Sequence, residues 1–305
     1  MPRRFSFVIA GVLWGALSLL SFSLSAQVAD ESPASPQPET PAAPGETVVV
    51  RHLYPGGGVD GYTLFLPLDY DKEPDSRWPV IVALHGGSAV GGEIEVVAGW
   101  GIPKIIAEET DLSIERNALL LRNFIVVTPH LAGVQGRSEF YQNADAIESI
   151  IDQLIAEYRA DPDRITMTGL SRGGHGSWGL ASRLSDRLAA VAPIGGNTRG
   201  VVSQRALTKI PLWVLHNARD NVVSIEGPQN TVHWIEELTG EKFLRLDRFD
   251  PSGSDYLRRP RIFTSVDLTD HDAWNPIYAR AEFYRWLLAQ RRGDLEVSPP
   301  RRVNL

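Results

Sequence analysis

The stretch DPDRITMTGLSRGGHGSW, residues 161–178, decides how the rest of the chain is read. Arg164–Thr168 is a short apolar run rich in β-branched residues, bounded by Asp161-Pro162 before it and Gly169 after it. That is the pattern of a buried strand. The run passes straight into Gly169-Leu170-Ser171-Arg172-Gly173 and then into a helical stretch. A serine on so sharp a strand-to-helix turn needs glycine on either side, because side chains there would collide with neighbouring backbone. A bare G-x-S-x-G carries little weight, and a glycine-rich turn with an incidental serine is the plain alternative. The strand before it and the helix after it make Ser171 a candidate nucleophile.

Working outward, short apolar runs recur at 79–84, 124–128, 189–194, 211–215 and 261–266. Continuous runs of this length suit strands covered on both faces, as in a parallel sheet. Helical patterns lie between them. The clearest carries Ile147, Ile150, Ile151, Leu154, Ile155 and Tyr158 on one stripe, with Asn143 as cap. Ahead of these runs, Thr47–Leu53 and Tyr62–Pro67 flank a triple-glycine turn and read as an antiparallel hairpin. The expected fold is α/β, a mostly parallel, doubly wound sheet with an N-terminal antiparallel hairpin. Function in such sheets lies at the carboxyl ends of the strands.

A serine hydroxyl is a poor nucleophile until a base takes its proton, and histidine suits that task near neutral pH. In this arrangement the chain order is serine, acid, histidine. His271, in Asp270-His271-Asp272 after the last strand, is the expected base, whereas His233 lies in an amphipathic helical stretch. Asp220 is the carboxylate in the loop after 211–215 and is the expected acid, holding the imidazole in one tautomer. Asp267, Asp270 and Asp272 sit too near His271 in sequence and are expected to shape its loop. The oxyanion needs two fixed donors. They are assigned to the N–H of Arg172 and the N–H of Gly87 in His85-Gly86-Gly87-Ser88, with Ser88 one residue away as the alternative. His85 is expected to support that loop, and His175 to pack or to border the site.

Together these segments resemble the α/β-hydrolases, in particular secreted esterases and peptidases related to the prolyl-oligopeptidase and feruloyl-esterase groups. The resemblance runs from about 62 to 288, through WPVIVALHGG, GWGIPKII, FIVVTPH, DPDRITMTGLSRGGHGSW, PLWVLHNARDNVV and HDAWNPIY. It implies the α/β-hydrolase fold, a serine hydrolase with Ser171, Asp220 and His271 as its triad, and no metal or cofactor. Asn217 stands where such relatives often carry glycine. Cleavage of a small-molecule or polymer-borne carboxylic ester is the favoured activity. A serine peptidase is the nearest rival, and a non-catalytic binding module on the same fold is a third reading.

Composition excludes other classes. A formal charge of -7 argues against nucleic acid, and the one basic stretch, 291–302, is broken by Asp294, Glu296 and two prolines and reads as a solvated terminus. The absence of cysteine removes disulfides, thiolate metal sites and a cysteine nucleophile. Arg3-Arg4, an uncharged apolar run from Phe5 to Leu20 and small residues up to Ala26 read as a signal peptide, residues 1–26, with cleavage before Gln27. An uncleaved anchor is the alternative. The expected localisation is secreted or periplasmic, with no stable membrane partner. Residues 27–46, rich in Pro, Ala, Ser and Glu, read as a disordered linker. The catalytic domain is expected over 47–292 and a solvated tail over 293–305.

Overall fold

A computed structural model describes residues 35–293 and residue 295. The expected signal segment and nearly all of the expected tail lie outside the described residues. Strands β1 (Thr47–Arg51) and β2 (Val59–Phe65) form the antiparallel hairpin. They are followed by β3 (Trp78–Leu84), β4 (Ile125–Leu131), β5 (Ala160–Leu170), β6 (Ala190–Ile194), β7 (Leu212–Asn217), β8 (Leu244–Leu246) and β9 (Arg261–Val266). Their order in the sheet is β1-β2-β4-β3-β5-β6-β7-β9-β8, and all pairings from β4 to β8 are parallel.

Side chains alternate across the sheet, so each central strand feeds two cores. On β3, Val80 and Val82 enter one and Ile81 and Ala83 the other. The first core is closed by α3 (Ala144–Glu157), α4 (Arg172–Ala181), α5 (Gln204–Leu207) and α6 (Glu226–Thr239). The second is closed by α1 (Gly101–Glu108), α2 (Glu115–Asn123), α7 (Trp274–Tyr278) and α8 (Ala281–Ala289). The chain therefore leaves β3 toward one face and the adjacent β5 toward the other. Where neighbouring parallel strands send their connections to opposite faces, a crevice opens at their carboxyl ends.

Helix α3 carries the expected stripe, with Ile147, Ile150, Ile151 and Leu154 all buried. Asn143 occupies its N-cap position without capping it. The Asn143 side chain instead donates back to the carbonyls of Arg137 (3.0 Å) and Glu139 (2.9 Å). A side-chain cap contributes about 1 kcal/mol. Four buried branched side chains contribute roughly 1.5–3 kcal/mol each, so the apolar face sets where this helix lies.

Two boundaries differ from expectation. The strand expected at 164–168 is longer, because Asp161 and Pro162 join β5 rather than ending the preceding helix. Of the segment expected as linker, residues 35–46 lie along the domain. Glu39 N–H donates to the Val49 carbonyl (3.0 Å), Gly45 N–H to the Leu66 carbonyl (2.9 Å), and Gln153 holds the Pro36 carbonyl. Composition alone hides this, since the contacts are made by backbone. At the other end Arg291 and Arg292 are half-exposed. They pair with Asp161 (3.3 Å) and Asp163 (2.6 Å).

Candidate active site

The elbow forms because β5 and α4 must meet at a turn tighter than an ordinary residue permits. Ser171 has φ 53° and ψ −111°, a conformation that L-residues avoid. Such strain costs on the order of 1–3 kcal/mol and persists only where the surroundings impose it. Here the Ser171 N–H donates to the Ile194 carbonyl at the end of β6 (2.9 Å), and the Ser171 carbonyl accepts from His175 N–H (3.0 Å). A β-carbon on Gly173 would lie 2.1 Å from the Leu84 carbonyl oxygen, which is why that position has no side chain.

Three loops converge above the sheet. The turn after β5 supplies Ser171, the loop after β7 supplies Asp220, and the loop after β9 supplies His271. Ser171 Oγ lies 2.9 Å from His271 Nε2, and Asp220 Oδ2 lies 2.6 Å from His271 Nδ1. With the carboxylate on Nδ1, that nitrogen carries the proton and Nε2 faces the hydroxyl with a free lone pair. The Asp220 side chain is fully buried. Burial pushes its pKa up. The amides of Val223 (2.9 Å) and Val222 (2.8 Å) on Oδ1, with the imidazole on Oδ2, outweigh this and hold the carboxyl below its ordinary value. The acid is thus an anion at neutral pH. His271 also packs edge-on against Trp274, with ring centres 5.2 Å apart.

Of the expected oxyanion donors, Arg172 opens α4 and Gly87 opens a short 3₁₀ turn over Gly87–Ala89. The N–H of a residue that opens a helix has no acceptor inside it and is left to bind a ligand. The two residues adjoin: a β-carbon on Gly87 would meet Arg172 Nε at 3.4 Å. The Arg172 guanidinium is held by the Ser138 carbonyl (2.9 Å) and Glu139 (3.0 Å). Glu139 was not foreseen, because nothing in the local sequence separates it from a surface glutamate.

His85 is buried and spans the loop. Its Nδ1 donates to the Gly86 carbonyl (2.8 Å), and its Nε2 accepts from Leu131 N–H (3.1 Å). Burial pushes its pKa down to about 4, so it is a neutral strut. His175 is also buried, and burial lowers it to about 4; its Nδ1 accepts from Asn197 N–H (2.8 Å). His233 is exposed on α6 beside Glu237 (3.1 Å), away from these loops. Asp270 and Asp272 accept backbone N–H groups of their own turn, and Asp267 pairs with Arg219 on the surface (2.6 Å). Asp267, Asp270 and Asp272 therefore all stay out of the Ser171–His271 line. Sequence reasoning assigned no role to His216, yet its Nε2 lies 3.3 Å from Asp220 Oδ2.

Solved structures that share this architecture were compared with it. A thermostable esterase superposes with a TM-score of 0.62 at 24% identity, covering 82% of this chain and 64% of that one. The fold is that of the α/β-hydrolases. The chain also matches a feruloyl esterase module from Clostridium thermocellum complexed with sinapinate, with a TM-score of 0.58 and 15% identity over 83% of this chain and 92% of that one. A third match is a putative dipeptidyl aminopeptidase IV from Bacteroides ovatus, with a TM-score of 0.55 and 13% identity over 80% and 35%. By sequence, 108 residues are 30% identical to a bifunctional acetylxylan esterase/xylanase of Neocallimastix patriciarum. They make up 34% of this chain and 16% of that protein, so the chain matches only a minor part of its relative. No family model matches the chain. Among the described residues no helix is long and apolar enough to cross a membrane.

Proposed function

We propose that the chain is a serine hydrolase that cleaves carboxylic esters through an acyl-enzyme. The observation that carries this reading is the hydrogen-bonded line from Ser171 Oγ through His271 to Asp220, with steps of 2.9 and 2.6 Å. Ser171 Oγ attacks the acyl carbon while its proton passes to His271 Nε2. The imidazolium that forms faces the Asp220 anion, which offsets its charge. The carbonyl oxygen becomes an oxyanion that accepts from the N–H groups of Gly87 and Arg172. Collapse of this adduct breaks the ester C–O bond, and His271 returns the proton to the departing alkoxide. Water then repeats the sequence on the acyl-enzyme, releasing the acid and regenerating the Ser171 hydroxyl. No step needs a metal or cofactor.

Ester cleavage is preferred to amide cleavage because three of the four relatives named above are esterases, among them one for acetylxylan and one for feruloyl groups, against one aminopeptidase. The connection from β6 to β7 holds only the short helix α5, too little for a large lid. An open mouth of this kind admits small esters and esters carried on a polymer. Export to the periplasm or the medium belongs to the same proposal and rests on the Arg3-Arg4 and Phe5–Leu20 pattern.

A fluorophosphonate probe tests the reading. The chain from Gln27 onward takes up one label, and Ser171→Ala takes up none. Equal labelling of parent and variant would refute the nucleophile. A panel of p-nitrophenyl esters, aryl esters and peptide anilides then ranks the substrates, and faster turnover of the anilides would replace the esterase with a peptidase.

A further inference from the structure

We propose that His216 and Asn217, the last two residues of β7, are positioning residues that keep the acid loop and the base loop in register for proton transfer. The inference rests on the serine-hydrolase reading and names the groups that set its geometry.

The β7–β9 pairing does not stop where the strands do. Beyond the last ladder pair, Asn217 and Val266, the Ala218 N–H donates to the Val266 carbonyl (2.7 Å) and the Arg219 N–H to the Leu268 carbonyl (3.0 Å). The two outgoing loops run together for two more residues before they yield Asp220 and His271. At that distance from the sheet the backbone ladder ends, and side chains take over.

Successive residues of a strand point to opposite faces, so neighbours at a strand end can serve different loops. Asn217 serves the base loop. Its side chain is buried, and Nδ2 donates to the Asp270 carbonyl (2.7 Å), the residue before His271. His216 serves the acid loop. Its ring is buried, and Nε2 faces two acceptors, the Val223 carbonyl (2.8 Å) and, more distantly, Asp220 Oδ2 (3.3 Å). Nε2 must therefore carry the proton, while Nδ1 is buried without a partner. Burial also disfavours the charged ring, which keeps one tautomer in place.

The Asp220 carboxylate is thus held by three donors: the Val222 and Val223 amides take Oδ1 and His271 takes Oδ2. The single N–H of His216 goes to the Val223 carbonyl, so the ring fastens the far side of the acid loop while its edge stands against Oδ2 at 3.3 Å. Asn217 is where the resembling family often carries glycine, and the tether to Asp270 is what the amide adds at that position.

The test uses the chain from Gln27 onward and p-nitrophenyl acetate, with Ser171→Ala as control. His216→Met removes the donor, His216→Gln keeps an amide donor near the Nε2 position, and Asn217→Gly removes the tether. Small displacements of reacting groups are costly, so His216→Met and Asn217→Gly are each expected to lower kcat about tenfold with KM within about twofold. His216→Gln, which can still donate to the Val223 carbonyl, stays within about threefold of the parent kcat. If Met at 216 does not fold, His216→Asn, whose amide stops short of Nε2, takes its place with the same expectation. Parental kcat in the Met and Gly variants would overturn the inference. So would an equal loss with Gln and Met, because a merely structural ring does not distinguish a donor from its absence. If the parent shows no turnover that Ser171→Ala removes, the reading of the function fails instead.

Discussion

Gly195, the first residue beyond β6, lies against the His271 ring: a β-carbon there would come within 3.4 Å of His271 Cε1. The position is left-handed, with φ 56°, and its N–H donates to the Leu215 carbonyl (2.9 Å), so the backbone has little freedom to yield. Bulk at 195 must therefore displace the imidazole or strain the turn. Gly195→Val is expected to lose about 1–2 kcal/mol of stability from the left-handed backbone alone. It is also expected to lower kcat by about tenfold or more, read from p-nitrophenyl ester turnover alongside thermal unfolding. A variant with parental kcat would show that the imidazole is not held by this contact.

Asp220→Asn leaves the shape of the acid loop but changes its hydrogen bonding. An amide nitrogen facing His271 Nδ1 cannot accept its proton, which favours the wrong tautomer of the base. By analogy with serine hydrolases the expected loss in kcat is about 10⁴-fold, with the fold retained by circular dichroism. A loss below tenfold would mean that another carboxylate orients His271.

Gly87→Pro tests the oxyanion donor proposed at that position. Gly87 opens its 3₁₀ turn and Gly86 before it is extended (φ −77°, ψ 178°), the setting in which proline at the first helical position is accepted. The substitution removes the N–H and little else. The expected cost is about 10²–10³ in kcat with modest change in KM. If Ser88→Pro produces that loss and Gly87→Pro does not, the donor is one residue further along.

The buried rings of His85 and His175 make stability fall as acid is added. His85 and His175 each have a pKa lowered by burial from 6.5 to about 4. Between those limits the unfolded chain binds a proton that the folded chain refuses, so stability rises with pH across this window and falls as pH drops from 6.5 to 4. Each ring contributes at most about 3 kcal/mol to the fall. Asp220 acts lower. Its depressed pKa gives stability that is present above 3.8 and lost as pH falls further. Urea unfolding at pH 7, 5.5 and 4.5 is expected to show a smaller decline for His85→Gln than for the parent. An identical decline would remove His85 from this account.

Much of this arrangement was legible along the chain. Strands buried on both faces need continuous apolar runs, so β3 to β7 and β9 announce themselves at 79–84, 124–128, 164–168, 189–194, 211–215 and 261–266. The turn at Ser171 demands glycine for steric reasons that act within a few residues, and it too can be read locally. The short edge strand β8 was missed, since its Leu244, Arg245 and Leu246 face too little core to leave a pattern. Asn143 has the chemistry of a cap, yet it spends its amide on carbonyls six and four residues earlier.

What the sequence by itself determined is the kind of element each segment forms and the chemistry of the side chains at its ends, because both follow from interactions within a few residues. Only the tertiary structure decided which of those chemistries meet. That His271 lies 2.9 Å from a hydroxyl 100 positions away, that His216 faces the same carboxylate, and that Glu139 holds Arg172 all depend on strand order and on how far paired loops run beyond the sheet. Such distances are set by packing between segments remote in the chain, and no local pattern encodes them.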